Sequence, residues 1–401
     1  MRVAVYYPWV YVHGGPERVL TQIVARSRHQ WTIYTNRYEA ESTFPSLRQA
    51  DIVQLPQVSV KRSFVHVVRA AWQIARQRLP LRDERVLFVF CEGLGDMVLL
   101  RKYGIPVACL CFTPLRAAFD PYYRRGYLEM KGKGIARRLA LQFGSAVFRA
   151  IDRKLWKRYD RVYAISEEVR RRIAKGHLCS STEIEILYPG VDIERLLPGG
   201  TGEKRFLIAG RIMWTKNLEL GIRSFELLLT RRPDLGVFTL TLAGYVDRKS
   251  QGYLTKLRAL ASACPQIRFV ESPSDPELFA LCRSAYAILY TPLNEDWGLI
   301  PLEMMALEKP IIAVNRGGPR ETVVDGSTGF LVEPTIEAFA SAMETLADDP
   351  DLVRSMGRRA RQRAGEFDWA SFCEKLDDSV DQLAGSAHSQ PKLSTAATGG
   401  R

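Results

Sequence analysis

The chain of 401 residues has no long hydrophobic run. Its longest apolar stretches, such as 86–90 and 105–112, fall well short of the roughly 18 residues a membrane span needs. Met1 is followed at once by Arg2-Val-Ala-Val-Tyr-Tyr7, too short and too polar-bounded for a secretory signal. These absences predict a cytoplasmic protein. Cysteine is sparse: the seven residues are scattered, odd in number and never spaced C-x-x-C. They read as reduced, mostly buried thiols, with Cys109 and Cys111 on the same side of one strand. None of the five histidines pairs with Cys or an acid at ligand spacing, so no structural zinc site is expected. The GxGxxG fingerprint is missing as well, which argues against a nicotinamide enzyme.

What is present is an ordinary globular composition, 46% hydrophobic and 25% charged, long enough for two or three domains. The net charge of +13 is concentrated in one region: Arg124–Lys175 holds 16 Lys/Arg against five Asp/Glu. A local basic face implies an anionic partner. No nucleic-acid-binding motif accompanies it, so nucleic acid is not expected and an anionic membrane surface is. Phe148, Ile151, Leu155 and Trp156 interleave with Arg149, Arg153, Lys154, Lys157 and Arg158, and a second mixed stretch covers 60–72. Either docks on anionic lipid, unless its apolar positions face the core.

Short apolar runs alternate with helical patterns throughout, which reads as βαβ units and parallel sheets. Strands are predicted at 3–7, 31–35, 52–55, 86–90, 106–112, 161–165 and 184–187, then at 205–209, 238–243, 267–270, 285–290, 310–314 and 329–332. Ser166, Asp275 and Thr335 are the expected helix caps. The series restarts after Tyr188-Pro-Gly-Val-Asp192, and 198–203 reads as an exposed linker. The expected division is 1–195 and 196–366, with a final helix over 367–384 returning to the first part and a disordered tail over 385–401.

Three segments carry chemistry. Gly14-Gly15 sits where a strand turns into a helix, so backbone N–H groups and the positive helix end can face an anion. Gly317-Gly318 echoes it in the second half. Gly210-Arg211…Lys216 follows the second half's first strand, at the carboxyl end where parallel sheets bind ligands. A guanidinium fork and an ammonium there can grip two phosphates. Finally, a buried strand runs into Asn294-Glu295-Asp-Trp-Gly298-Leu299-Ile300-Pro-Leu-Glu303. Gly298 and Pro301 break the helix between the two acids, so they can reach opposite ends of one extended ligand. Free N–H groups at Gly298–Ile300 meet a phosphate between them.

The Glu295–Glu303 segment resembles the Glu-x7-Glu motif of retaining GT-B glycosyltransferases of family four. Gly14-Gly-Pro-Glu-Arg18, Ile165-Ser-Glu-Glu-Val169, Tyr188-Pro-Gly-Val-Asp192, Gly317-Gly-Pro-Arg-Glu321 and 325–331 match further family motifs in consistent order over about 1–385. The resemblance implies an α/β fold: GT-B, two Rossmann-like domains with parallel sheets facing across an interdomain cleft. It implies that Arg211 and Lys216 neutralise a departing nucleoside diphosphate, Glu295 holds the donor sugar and Glu303 the ribose. Gly14, Gly15, Gly210, Gly298, Leu299 and Ile300 belong to the same donor site.

A narrower likeness, over 289–303, 311–321 and 242–247, is to mannosyltransferases of dolichol-linked intermediates. Thr113-Pro-Leu-Arg116…Asp120 resembles a loop of bacterial polysaccharide mannosyltransferases and marks Arg116 and Asp120 as acceptor-binding. The implied function is transfer of mannose from GDP-mannose to a lipid-linked or polysaccharide acceptor, peripheral on the cytoplasmic face of a membrane. A UDP-sugar donor and an inactive sugar-nucleotide-binding protein are the alternatives. No Asp-x-Asp motif is present, so no metal or other cofactor is expected. Phe112 stands where relatives have a histidine beside the transferred sugar.

Overall fold

The computed structural model describes residues 1–59, 64–131, 134–199 and 203–389. Lys61, Arg62 and Lys133 of the basic stretches, residues 200–202 of the expected linker, and 390–401 lie outside them. The chain divides into two compact units. One comprises Met1–Ile165, Val169–Leu187 and the segment from Ala370; the other comprises Ser166–Glu168 and Tyr188–Trp369.

The first unit contains β1 (Arg2–Tyr6), β2 (Trp9–Val10), β3 (Gln30–Thr35), β4 (Arg37–Tyr38), β5 (Asp51–Gln54), β6 (Leu87–Glu92), β7 (Val107–Thr113), β8 (Arg161–Ala164) and β9 (Ile184–Ile186). Seven of these form one sheet in the order β5-β3-β1-β6-β7-β8-β9, parallel throughout. Its middle strands read as unbroken apolar runs because helices cover both faces; β7 is buried at every position. The order reverses direction between β1 and β6, so the loops leaving those two strands diverge.

The second unit contains β10 (Arg205–Ala209), β11 (Thr239–Gly244), β12 (Ile267–Glu271), β13 (Ala287–Tyr290), β14 (Ile311–Val314) and β15 (Gly329–Val332). They form a parallel sheet in the order β12-β11-β10-β13-β14-β15, which reverses between β10 and β13.

Each predicted strand is present. The pair β2–β4 is an addition to the prediction, since two-residue strands carry no periodicity. Thr335 caps its helix, accepting from the Ala338 amide. The cap assigned to Asp275 belongs to Ser274, which forms a reciprocal capping box with Glu277. All seven cysteines are free and six are buried, with Cys179 half-exposed.

The final helix runs Trp369–Ser389. It passes through Gly385, the expected start of a disordered tail; one helical glycine costs only about 1 kcal/mol. It groups with the first unit. Asp377 accepts from the Arg28 amide (2.8 Å) and the Ser27 hydroxyl (2.5 Å), while the Arg28 guanidinium reaches Asp378 (2.8 Å) and Asp381 (2.5 Å).

In the second unit, Arg361 gathers distant backbone. Its guanidinium donates to the carbonyls of Leu196 (2.6 Å), Ile193 (3.0 Å) and Ala306. Replacing it leaves three acceptors short of a donor at once. Arg361→Leu is expected to destabilise this unit by about 2–4 kcal/mol, read as a lowered melting temperature in calorimetry.

Candidate active site

Open parallel sheets bind ligands where the strand order reverses, beyond the carboxyl ends of the two diverging strands. In the second unit that point lies after β10 and β13. A small cavity there is lined by Gly210, Arg211 and Lys216 from one side and Tyr290, Thr291 and Ile300 from the other. Four sequence-predicted residues therefore meet at one place. Gly210 has φ of +130°, and a side chain on it would press on Ile300 Cδ1 at 2.8 Å. Only glycine lets these two segments approach.

Lys216 ends a short 3₁₀ turn, Trp214–Lys216, and Asn217 then adopts the left-handed conformation (φ 50°, ψ 48°) to open the helix Leu218–Arg231. Asparagine tolerates that conformation better than most residues. Thr291 Oγ1 donates to the Lys216 carbonyl (2.8 Å), and Asn217 Nδ2 donates to the Thr291 carbonyl (3.4 Å). The two banks of the crevice are stitched together through backbone. The Lys216 ammonium lies 2.5 Å from Glu295 Oε2, which also accepts from Tyr290 Oη at 2.7 Å. Both charged side chains are largely shielded, at 19% and 18% exposure, so the pair is weakly screened. Arg211 stands exposed on the same loop.

The segment carrying Glu295 is backed closely by Gly317-Gly318. The Gly318 amide donates to the Glu295 carbonyl (3.1 Å). A Cβ on Gly317 would come within 2.4 Å of that carbonyl oxygen, and one on Gly318 within 2.1 Å of the Trp297 carbonyl oxygen. The second glycine pair is thus a close-packing device behind the acid rather than a ligand loop. Trp297 is buried, stacks on Tyr188 with centroids 4.7 Å apart, and donates to the Pro189 carbonyl (3.0 Å). Gly298 then caps the helix Leu299–Ala306 from the left-handed region. That helix presents its N–H groups at Leu299 and Ile300 and carries half-buried Glu303 in its second turn. The cavity walls include neither acid; Glu295 joins the site through Lys216.

Sequence reading assigns no role to Glu321. Its carboxylate accepts from the amides of Glu167 (2.8 Å) and Glu168 (2.9 Å), and Ser166 Oγ donates to the Asp296 carbonyl (2.5 Å). The Ile165-Ser-Glu-Glu motif is therefore bonded directly to the loop that carries Glu295. Both motifs are visible in the sequence, but their pairing is not.

In the first unit, Gly14 and Gly15 open the helix Gly15–Arg26, in agreement with the predicted strand-to-helix turn. The residue missed here is Glu17. It is buried, and neither carboxylate oxygen has a hydrogen-bond partner among the described residues. Burial, with a smaller contribution from the Glu92 charge, raises its pKa to about 8. Glu92 ends β6 and accepts from Tyr7 Oη at 2.7 Å. Phe112 packs against Phe90 (5.1 Å), which meets Tyr7 (6.3 Å), so three aromatic rings lie side by side here. Asp120 accepts from the amides of Tyr122 (2.9 Å) and Tyr123 (3.2 Å) at the start of the helix Pro121–Lys131, and Arg116 is half-exposed on the short helix before it.

The basic region is less free than its sequence suggests. Arg124 and Arg149 both donate to the Ala118 carbonyl, Arg153 to that of Gly176 and Arg158 to that of Leu99. Leu155 and Trp156 are buried, and Phe148 packs on the core. Of the four apolar residues named from the sequence only Ile151 is exposed; it ends a row of exposed apolar residues on the helix Ile135–Trp156, Ile135 (78%), Leu139 (58%), Phe143 (73%), Val147 and Ile151, spaced four apart along one side. Val65, Val68 and Trp72 are similarly exposed on the helix Phe64–Arg76.

Comparison with known proteins gives a consistent result. Residues 13–195 match the family model described as Glycosyltransferase Family 4, and 197–363 match that of Glycosyl transferases group 1. The chain is 33% identical to mouse alpha-1,3/1,6-mannosyltransferase ALG2 over 219 residues, 50% of this chain and 52% of that protein. It is 32% identical to D-inositol 3-phosphate glycosyltransferase of Pseudarthrobacter chlorophenolicus over 218 residues, again 50% and 52% of the two chains. The chain thus spans about half the length of the curated relatives it matches. Among solved structures, Anabaena Alr3699/HepE in complex with UDP and glucose superposes with a TM-score of 0.71 at 14% identity, covering 95% of this chain and all of that one. Sucrose-phosphate synthase of Thermosynechococcus elongatus does so with a TM-score of 0.70 at 16% identity, over 96% and 100%. These likenesses establish the fold as GT-B.

The isolated carboxyl of Glu17 has a measurable consequence. It keeps its proton in the folded state up to about pH 8 but loses it in the unfolded chain near its ordinary value of 4.5. The folded state binds more protons between those limits, so stability falls as pH rises through that window. Glu17→Gln removes the effect. Its melting temperature relative to wild type is expected to climb from pH 5 to pH 8.5, by the equivalent of a few kcal/mol, in a calorimetric pH series.

Proposed function

Because the chain belongs to glycosyltransferase family four, we propose that it is a retaining transferase that moves mannose from GDP-mannose to a lipid-linked or polysaccharide glycan. The observation that carries this reading is the meeting of Arg211, Lys216 and Glu295 at the switch point of the second sheet. Two cations and a row of helix N–H groups suit a pyrophosphate, and the acids suit sugar and ribose hydroxyls. The choice of mannose is supported by the 289–303 segment and by the relatives named as mannosyltransferases.

In the proposed reaction the anomeric C–O bond to the nucleoside diphosphate breaks. The acceptor hydroxyl attacks from the face the diphosphate leaves and gives its proton to the departing phosphate oxygen, so configuration is retained. Arg211 and Lys216 stabilise the charge that grows on that oxygen, which lowers the barrier because the contact strengthens as the bond lengthens. Glu295 orients both Lys216 and the sugar. Glu303 holds the ribose. With two cations at the diphosphate, the donor site works without a metal.

The acceptor side is a membrane surface in this reading. No described helix is long and apolar enough to cross a membrane. The stripe Ile135, Leu139, Phe143, Val147 inserts at the headgroup boundary, and the basic residues around it attract anionic lipid.

Three measurements test the proposal. In a thermal-shift panel of GDP-mannose, UDP-glucose, UDP-galactose and UDP-N-acetylglucosamine, GDP-mannose alone is expected to raise the melting point by mass action. With it as donor, Lys216→Ala and Glu295→Gln each lower kcat by about 100-fold or more, and EDTA leaves the rate unchanged. A response only to a UDP-sugar replaces the donor assignment. In flotation assays the wild type is expected to rise with anionic but not neutral vesicles, and Leu139→Glu/Phe143→Glu to remain at the bottom; equal absence from both vesicles ends the membrane reading.

A further inference from the structure

A cluster of buried thiols and carboxyls lies inside the first unit and takes no part in the donor site. Cys91 is on β6, and Cys109 and Cys111 are on its neighbour β7, in register with Val89 and Cys91 respectively. Alternation along the two strands puts all three thiols on one face, and all three are fully buried. Against that face lie Asp96, from the turn Gly95–Leu100, and Asp152, from the helix Ile135–Trp156. One donor atom from each of Cys91, Asp96 and Cys109 lies within 4.8 Å of the other two. Cys91 Sγ is 3.1 Å from Asp96 Oδ2, and the second oxygen of that carboxylate accepts from Tyr159 Oη.

Asp152 is as deeply enclosed, and its Oδ1 has no hydrogen-bond partner among the described residues. The groups acting most strongly on the two carboxyls are Cys91, Tyr159, Trp156 and each other. None of these is a cation. An apolar interior holds such a set of acids only if they keep their protons or share a positive ion.

The geometry points to a buried zinc-class cation site, with Cys91, Cys109 and Asp96 as three ligands and the enclosed, unpartnered Asp152 carboxyl beside them. Two thiolates select a borderline-soft ion over magnesium or calcium. Tetrahedral zinc bonds of about 2.0–2.3 Å place neighbouring donors about 3.5 Å apart, within the span already present. The Tyr159 bond to the far oxygen of Asp96 is the outer contact that orients a carboxylate ligand. Uptake releases the two thiol protons and that of the Asp96 carboxyl to solvent. The ion ties β6, β7 and the 95–100 turn together, and it enters as the unit folds, because the ligands are buried. The ligands lie at 91, 96 and 109, a spacing that no motif search detects. The inference is independent of the proposed transfer reaction and of EDTA insensitivity, since an enclosed ion does not exchange with chelator.

The test uses the full chain produced in minimal medium with zinc or with cobalt, then dialysed against EDTA in the folded state. Elemental analysis is expected to give about one zinc per chain, released on unfolding, and the cobalt protein to show the visible bands of a tetrahedral thiolate site. Cys91→Ser/Cys109→Ser and Asp96→Asn are expected to lower bound metal about tenfold or more, while Cys264→Ser retains it. Cooperatively melting wild-type protein with less than about a tenth of an equivalent overturns the proposal, as does full metal content in Asp96→Asn. If the double thiol variant fails to fold, the cobalt spectrum of Asp96→Asn decides: unchanged thiolate bands overturn the proposal, and weakened bands support it.

Discussion

Lys216 and Glu295 neutralise one another at the seam of the second sheet, and much of the surrounding backbone serves to hold them there. A lysine and a glutamate with less than a fifth of their side chains exposed lose hydration, so each depends on the other and on the Tyr290 hydroxyl. Their supports come from separate parts of the chain. Thr291 and Asn217 join the two loops, Gly317-Gly318 lies against the loop that carries Glu295, and Trp297 anchors the turn into the next helix. Side chains held in this way keep their positions through contacts from several segments, so the pair is fixed by the fold rather than by its own rotamers.

At the crevice of the second unit, Lys216 and Glu295 are an acid–base pair. In the first, Glu17, Asp96 and Asp152 are enclosed without a basic partner among the groups acting on them, and burial holds each well above the usual carboxylate range. Such carboxyls are poor sources of stability at neutral pH. Glu17 sits against the glycine turn at the β1–β6 switch point, and the Asp pair faces the thiols of β6 and β7. The Phe90–Phe112 packing beside Tyr7 adds an aromatic layer near Glu92.

The sequence is most legible where a signal repeats. Buried parallel strands and Gly/Pro punctuation located every strand of both sheets, and the positions of Arg211, Lys216 and Glu295 relative to those strands placed them at a carboxyl edge. It is least legible where meaning depends on orientation. Charge counting makes 124–175 a uniformly basic face, yet four of its arginines are spent on backbone carbonyls. Of the apolar positions that interleave with that charge, Leu155 and Trp156 face inward and Ile151 is exposed, and the exposed stripe begins earlier in the helix than expected, at Ile135. The echo between the two glycine pairs extends only so far. Both precede a helix, but Gly317-Gly318 is compressed against backbone while Gly14-Gly15 opens over a buried acid.

Composition, periodicity and the ordered motifs were enough to determine two parallel α/β units and the residues that gather at a carboxyl edge of the second one. These are local properties: a strand's burial and a turn's chirality are written within a few neighbouring residues. Which oxygen Lys216 meets, which carbonyls absorb the arginines, and that Cys91, Asp96, Cys109 and Asp152 converge in one interior were decided only by the tertiary structure. Each of those facts depends on the rotation of elements far apart in the chain, and spacing along the sequence has no term for it.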